Sequence, residues 1–319
     1  MSTESAARLK GWQPNINLMG MRRVAYLISG LLIVISIAAI AIRGFNFGVD
    51  FTGGTLVEVS YPQPIDLAGV RSALQDAGYP GAMAQYFGTP RDVLIRLAAS
   101  GEADASGIAD RVLASLRAAP EGASIELRRV EFVGPQVGKE LAEYGSLAVL
   151  VSIIGILLYV GLRFEKRLAA GAVLGLVHDV IILLGVWAVF QLDFDLTVLA
   201  GLLATIGYSL NDTIVIYDRV RENFRKLRKG EVVEIVNVSI NQTLTRTVIT
   251  SGTTLLALIA LYVFGGEILR NFSLVLILGI IVGTYSSVFV CSALALLLGV
   301  SKKDLMPVAK DQSASGAQL

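Results

Sequence analysis

Charged side chains are scarce in this sequence. Asp, Glu, Lys and Arg make up 17% of its 319 residues, while 54% of the side chains are apolar. Soluble globular domains carry about a quarter charged residues, so the composition speaks against a soluble enzyme and equally against a disordered or fibrous chain. The net charge is only +1, which gives nucleic acid no electrostatic hold. The single cysteine, Cys291, lies in an apolar run, so neither a disulfide within the chain nor a cysteine-built metal site is available. The patterns GxxxxGKS/T, GxGxxG and HExxH are missing, and with them the usual ATPase, dinucleotide and zincin signals. No cofactor, no metal and no enzymatic activity are expected.

What the sequence has instead is long apolar runs. A membrane-crossing helix needs roughly 20 mostly apolar residues. Val24 to Ile42 qualifies, and it is too long and lacks the small-residue cleavage site of a signal peptide, so it reads as a retained helix. Apolarity then lapses and resumes in five runs: Leu141 to Leu162, Leu168 to Phe190, Asp195 to Tyr217, Thr245 to Phe264 and Asn271 to Gly299. The last is long enough to tilt or to extend past the bilayer.

Lysine and arginine in the short flanks set the orientation. Arg8, Lys10, Arg22 and Arg23 precede the first run. Arg163, Lys166 and Arg167 join the second to the third. Arg219, Arg221, Arg225, Lys226, Arg228 and Lys229 follow the fourth, and Lys302, Lys303 and Lys310 follow the sixth. With six spans all of these fall on one side, while Gln191 to Phe194 carries no base. The expected organisation is a cytoplasmic segment 1–23, a transmembrane helix 24–43, an external α+β domain 44–138, transmembrane helices two to six across 139–300 with a basic cytoplasmic loop 218–244, and a disordered cytoplasmic tail 301–319. Both termini are thus expected in the cytoplasm.

Within the external segment, Thr55 to Tyr61 alternates like a strand. Asp66 to Ala77 reads as a helix, with Asp66 as N-cap and Gly78 as stop. Ala82 to Phe87 and Val93 to Ala98 read as strands around a Gly-Thr-Pro turn, Asp104 to Ala118 as a helix and Ile125 to Phe132 as a strand. The order β-α-β-β-α-β is that of the ferredoxin-like split motif. Such a domain is large enough for one core and fits binding or docking better than catalysis.

Four segments carry a resemblance. They are Phe47-Gly48-Val49-Asp50-Phe51-Thr52-Gly53-Gly54 after the first span, Val133-Gly134-Pro135-Gln136-Val137-Gly138 before the second, Gly207 through Asn223 at the end of the fourth, and Asn241 through Thr254 opening the fifth. Together they closely resemble the SecD/SecF family of protein-export membrane proteins, from about Asn15 to Gly299. That family resembles the RND superfamily, of which six spans would be one half. The resemblance implies a proton-driven step in protein export across the bacterial inner (plasma) membrane. It also implies pairing with SecD through membrane helices, and work with the SecYEG translocon, YajC and a translocating preprotein. The early basic N-terminus fits SecD and SecF as separate chains. In that family the residues matching Asp212 and Arg246 are implicated in the proton path.

The residues themselves single out the same region. An ionisable side chain at the centre of a span costs roughly 2.5–3.5 kcal/mol on insertion scales, so it usually faces protein or water. Asp212 and Arg246 are expected at similar depth on consecutive helices. Burial and a nearby arginine act in opposite senses on a carboxyl, so a modest rearrangement lets one acid load and release a proton. Arg246 stays charged and serves as counter-charge, or else snorkels to the headgroups. His178 and Asp179 sit mid-span in the third helix as a proton relay or as helix–helix hydrogen-bonding groups. Adjacent helical residues point about 100° apart, so the two are not expected to face one ligand together. Tyr208, Ser209 and Asn211 read as hydrogen-bonding support. Gly48, Asp50, Gly53 and Gly54 form the domain junction, either a coupling hinge or a static turn, with Asp50 capping or ion-paired. Gly171/Gly175 and Gly279/Gly283 are candidate packing faces. Arg219 to Lys229, with Val220, Phe224 and Leu227 on one stripe, reads as a helix on the inner leaflet or as a solvated helix end.

Three other readings stand beside the resemblance: half of an RND-type exporter of small solutes or lipids, an intramembrane aspartyl protease using Asp179 and Asp212, and a passive scaffold. Such proteases carry their aspartates in motifs such as YD and GxGD, whereas Asp179 and Asp212 sit in Val-His-Asp and Leu-Asn-Asp, and their expected depths differ.

Overall fold

The structure, a computed structural model, describes residues 15–98, 105–119, 124–226 and 230–301. Arg8, Lys10, Asp104, Leu227, Arg228, Lys229 and the tail with Lys302, Lys303 and Lys310 lie outside them. Among the described residues, six helical stretches are long and apolar enough to cross a membrane. They are α1 (Arg22–Arg43), α5 (Pro135–Arg163), α6 (Lys166–Phe190), α7 (Leu196–Lys226), α8 (Val232–Phe264), and a sixth built from α9 (Gly266–Tyr285), a π-helical turn (Ser286–Cys291) and α10 (Ser292–Leu297).

Burial divides these helices. α6, α7 and the sixth stretch form the centre, whereas α5 leaves nearly all its apolar surface uncovered. α1 buries Ala25, Ser29 and Ser36, a stripe of small residues at helical spacing. That stripe lets α6 approach so closely that a Cβ on Gly185 would overlap Ser36. The two glycine pairs work in the same way. A Cβ on Gly171 would sit 2.7 Å from the Tyr217 hydroxyl, and one on Gly175 would overlap the Cys291 sulfur. On α9, Gly279 and Gly283 meet Thr205 and Ser209 of α7.

The inserted α+β domain runs β2 (Gly54–Ser60), α3 (Leu67–Asp76), β3 (Met83–Phe87), β4 (Thr89–Leu97), α4 (Ala105–Ala118) and β5 (Glu126–Val133). Its sheet has the order β3-β4-β2-β5, and every pairing is antiparallel. Strand alternation sends Val57, Val59, Val93 and Ile95 to one face, where Leu74, Val112 and Leu116 of the helices bury them. The Asp66 carboxylate caps α3 by accepting from the Ala68 amide at 3.1 Å. Gly78, at φ +88°, follows the end of that helix. The β3–β4 turn is tighter than Gly-Thr-Pro: Phe87 already pairs with Thr89, and only Gly88, at φ +78°, lies between.

One further expectation needs correction. Residues 218–244 are not a loop, because α7 runs on to Lys226 and α8 starts at Val232. The Val220–Phe224 stripe causes this. It is buried against Ile235, Val236 and Ile240, so it closes a helical hairpin and does not lie on a membrane surface. Asn223 donates to Ser239 and Gln242 at 2.9 Å each across the same hairpin. The sixth span is interrupted by the π-helical turn at Ser286–Cys291. There the Ser292 hydroxyl donates to the Ser287 carbonyl at 3.2 Å.

The domain junction ties several helices together. Strand β1 (Asn46–Phe47) pairs in parallel with β6 (Asp193–Phe194), which lies between α6 and α7. One helical turn, α2 (Val49–Thr52), follows β1, and then Gly53 at φ +68° and Gly54 at φ +131° lead into β2. A Cβ on Gly138 of α5 would sit 2.7 Å from the Gly53 amide, so glycine is needed on both sides of this contact.

Candidate functional site

His178 and Asp179 lie on the fully buried face of α6, each about 3% exposed or less. The two side chains meet each other: His178 Nδ1 is 2.8 Å from Asp179 Oδ1. Helix geometry separates the Cβ directions by about 100°, but two flexible side-chain torsions on each residue bring ring and carboxyl together. Ser209 of α7 donates its hydroxyl to Asp179 Oδ2 at 2.6 Å. On the far side of the ring, His178 Nε2 is 3.1 Å from Ser29 Oγ of α1, and Ser29 Oγ is 3.0 Å from the Tyr285 hydroxyl at the end of α9.

Counting hydrogens along this chain settles the tautomer. Tyr285 donates its one hydroxyl hydrogen to the Ala25 carbonyl at 3.0 Å, so Ser29 donates to Tyr285. The Ser29 oxygen then accepts, and His178 must carry a hydrogen on Nε2. Between Nδ1 and Oδ1 only one proton fits. The pair is therefore either imidazolium with carboxylate or imidazole with carboxylic acid, and it is neutral overall in both forms. Both exchanging groups belong to α6, and Ser209 of α7, Ser29 of α1 and, through Ser29, Tyr285 of α9 surround them from three other spans.

Asp212 lies further along α7, 3% exposed. Its Oδ2 accepts from Ser251 of α8 at 3.5 Å, and Ser251 Oγ is 2.9 Å from the Thr284 hydroxyl of α9. Arg246 of α8 is exposed and makes no ion pair with Asp212. Burial of a carboxyl with a single long hydroxyl contact leaves it without a fixed counter-ion, the condition under which a proton is easily gained or lost. Of the supporting residues, Ser209 joins the α6 pair. Tyr208 reaches Thr254 at 3.4 Å, and Asn211 points out of the bundle. Asp179 and Asp212 share no hydrogen bond and have separate hydroxyl partners, which disfavours an aspartyl-protease dyad.

Ser29, Ser251, Thr284 and Tyr285 escaped the sequence reading. A hydroxyl in an apolar helix is common enough to carry no signal alone. The one available clue was the run Thr284 to Ser287 inside a span, where the π turn now re-aims consecutive side chains at different neighbours, as such turns often do at functional sites.

The junction residues also find partners. Asp50 Oδ2 accepts the Leu196 amide at 3.0 Å, and Asp195 Oδ1 accepts from Val198 at 2.8 Å. Two carboxylates thus cap the first turn of α7, where the helix dipole favours negative charge. Phe45, Phe47, Phe51 and Phe194 surround this point with ring centroids 5.5 to 6.1 Å apart.

The family model described as "Protein export membrane protein SecD/SecF, C-terminal" matches residues 113–301, and "SecD/SecF GG Motif" matches residues 38–65. The chain belongs to the SecD/SecF family. It is 50% identical over 295 residues to the protein translocase subunit SecF of Vibrio alginolyticus, covering 92% of this chain and 93% of that one. It is 51% identical to the SecF of Pseudomonas aeruginosa, with 92% and 94% covered. Among solved structures it matches SecDF of Thermus thermophilus with a TM-score of 0.80 and 37% identity. That match takes in 92% of this chain but only 41% of the longer SecDF chain. A second SecDF structure, in its super-membrane-facing form, matches with a TM-score of 0.66. With six apolar helices and this family, the chain is a multi-pass membrane protein. The GG motif contains the Asp50 and Gly53–Gly54 junction, and the C-terminal match contains His178, Asp179, Asp212 and Arg246.

Proposed function

We propose that this chain is a SecF-type subunit of the Sec protein-translocation pathway, working in the bacterial inner membrane with both termini in the cytoplasm and the α+β domain, of ferredoxin-like type, outside. It pairs with SecD and serves the SecYEG channel, with YajC as a further partner, and it uses the proton-motive force to draw preprotein outward. It binds no nucleic acid and carries no catalytic centre of its own.

The observation that carries the proton reading is the Asp212 carboxyl, buried in the bundle with Ser251 as its hydrogen-bond donor and Arg246 unpaired to it. In its charged form it attracts Arg246; with a proton it does not. Loading therefore changes the attraction between α7 and α8. The His178–Asp179 pair stores a second proton next to α1 and α9. A small-solute exporter has less support, because the curated relatives matched over nine-tenths of the chain are named as protein translocase subunits.

The test is export of a reporter preprotein in cells whose only copy carries Asp212→Asn, with abundance and SecD co-purification measured in parallel. Normal assembly with proton-dependent export reduced to the level of cells lacking the chain is expected. Unchanged export removes Asp212 from the proton path.

A further inference from the structure

Asp193, in the short connection between α6 and α7, collects contacts from three other parts of the chain. Its Oδ1 accepts from Arg96 Nη2 of β4 and from Asn46 Nδ2 of β1, both at 2.7 Å, and its Oδ2 accepts from Gln85 Nε2 of β3 at 2.5 Å. Arg96 reaches on, donating through Nη1 to Asn46 Oδ1 at 3.0 Å and to the Phe47 carbonyl at 2.9 Å. The two side chains of the ion pair are 13% and 15% exposed, so water screens them far less than an ordinary surface pair. Arg96 sits mid-sheet, opposite Leu56 on one side and Met83 on the other. A force on its guanidinium therefore acts on the whole sheet.

We infer that Asp193 is a positioning residue that locks the α+β domain onto the α6–α7 connection, so that movement of these two helices is delivered to the sheet. The connection is short and firmly built. Parallel pairing of β1 with β6 holds it, and Asp50 caps the α7 end of it at Leu196. The helices it joins carry His178, Asp179 and Asp212, the last about 24 Å down α7 at 1.5 Å per residue. The sheet's other attachments are its covalent ends at Gly53–Gly54 and at β5 into α5, the Arg96 contacts to Asn46 and Phe47, and the packing of Val49 of α2 on Leu56 and Leu94. Of these holds, the Asp193 carboxylate is the one that ties the sheet directly to a side chain of the α6–α7 connection, through Arg96 and Gln85. The delivery of motion rests on the proton-driven reading above, whereas the lock itself does not.

The test uses the full chain in native membranes with Cys291→Ser, and spin labels at Leu127→Cys on β5 and Phe190→Cys at the end of α6. Both positions are exposed, at 41% and 69%. Pulsed dipolar spectroscopy reads the distance between them, and reporter export is measured on the same strains. The parent is expected to give one narrow distribution. Asp193→Ala and Arg96→Ala are expected to broaden it and to lower export about fivefold or more at unchanged abundance, and Asp193→Glu should restore both. A narrow distribution in Asp193→Ala overturns the lock. Broadening with full export overturns the delivery of motion. Asp212→Asn is run alongside: if it exports normally while Asp193→Ala loses both order and export, the proton reading fails and the lock stands.

Discussion

His178 Nδ1 and Asp179 Oδ1, on consecutive residues of one helix, lie 2.8 Å apart and share one proton. The chain has a single histidine, so histidine-selective 15N labelling gives a spectrum of this site alone. The expected spectrum has a protonated Nε2 at every pH where the protein stays folded, with Nδ1 in a strong hydrogen bond. Ser29→Ala removes the acceptor of Nε2–H and should cost about 1–3 kcal/mol, the usual penalty for a buried donor left unsatisfied. It should also move the Nε2 signal. An unprotonated Nε2 in the parent protein contradicts the hydrogen count.

Arg246 is exposed and makes no ion pair with Asp212, so on the proton-path reading it would act on that carboxyl through its charge. A residue that works in this way tolerates a change of shape better than a loss of charge. Arg246→Lys should therefore keep most proton-dependent export, whereas Arg246→Ala should lower it about tenfold or more, the equivalent of ~1.4 kcal/mol. Equal loss in both variants points instead to the forked geometry of the guanidinium. Export rate across imposed proton gradients distinguishes the two.

The elements whose signals are local were legible in the sequence. Six apolar stretches, the Asp66 cap, the Gly78 stop and both glycine pairs all appear where composition and spacing placed them. What failed was long-range. The stripe of Val220 and Phe224 looks the same in sequence whether it meets lipid or Ile235, and only the fold brings α8 against it. The hydroxyl contacts of Ser29 and Tyr285 at His178, and of Ser251 at Asp212, are invisible for the same reason, since each is unremarkable within its own helix. Asp193 was overlooked because a lone acid in a short connection is ordinary; its partners Gln85 and Arg96 lie about a hundred residues earlier in the chain.

Gly175 and Cys291 mark the tightest contact between α6 and the sixth span, where an added Cβ would overlap the sulfur. Overpacking of this kind costs about 1–3 kcal/mol. Gly175→Ala should thus lower the thermal midpoint, and Cys291→Ala should be mild. Together they should recover most of the loss, because the sulfur that the new methyl group meets is gone. Neighbouring residues often couple in this non-additive way. Simple addition of the two effects would mean that the backbone, and not the sulfur, sets the spacing.

Asp195 governs a pH dependence outside the spans. Burial pushes its carboxyl above the ordinary range, opposed by the Thr197 hydroxyl and the Val198 amide, and the neighbouring Asp50 and Asp193 charges add to the rise. The folded protein therefore holds this proton more tightly than the unfolded chain does. Stability from this group is fully present below the unfolded value of about 3.9. It declines as pH rises to the higher folded value and stays reduced above it. Asparagine keeps a capping oxygen of similar strength without the charge. Asp195→Asn should accordingly be more stable than the parent at neutral pH, and the difference should vanish below about pH 3.9. Thermal unfolding of both proteins across this pH range is the measurement. A less stable Asn variant at neutral pH would show that attraction between the carboxylate and the α7 dipole outweighs the burial cost.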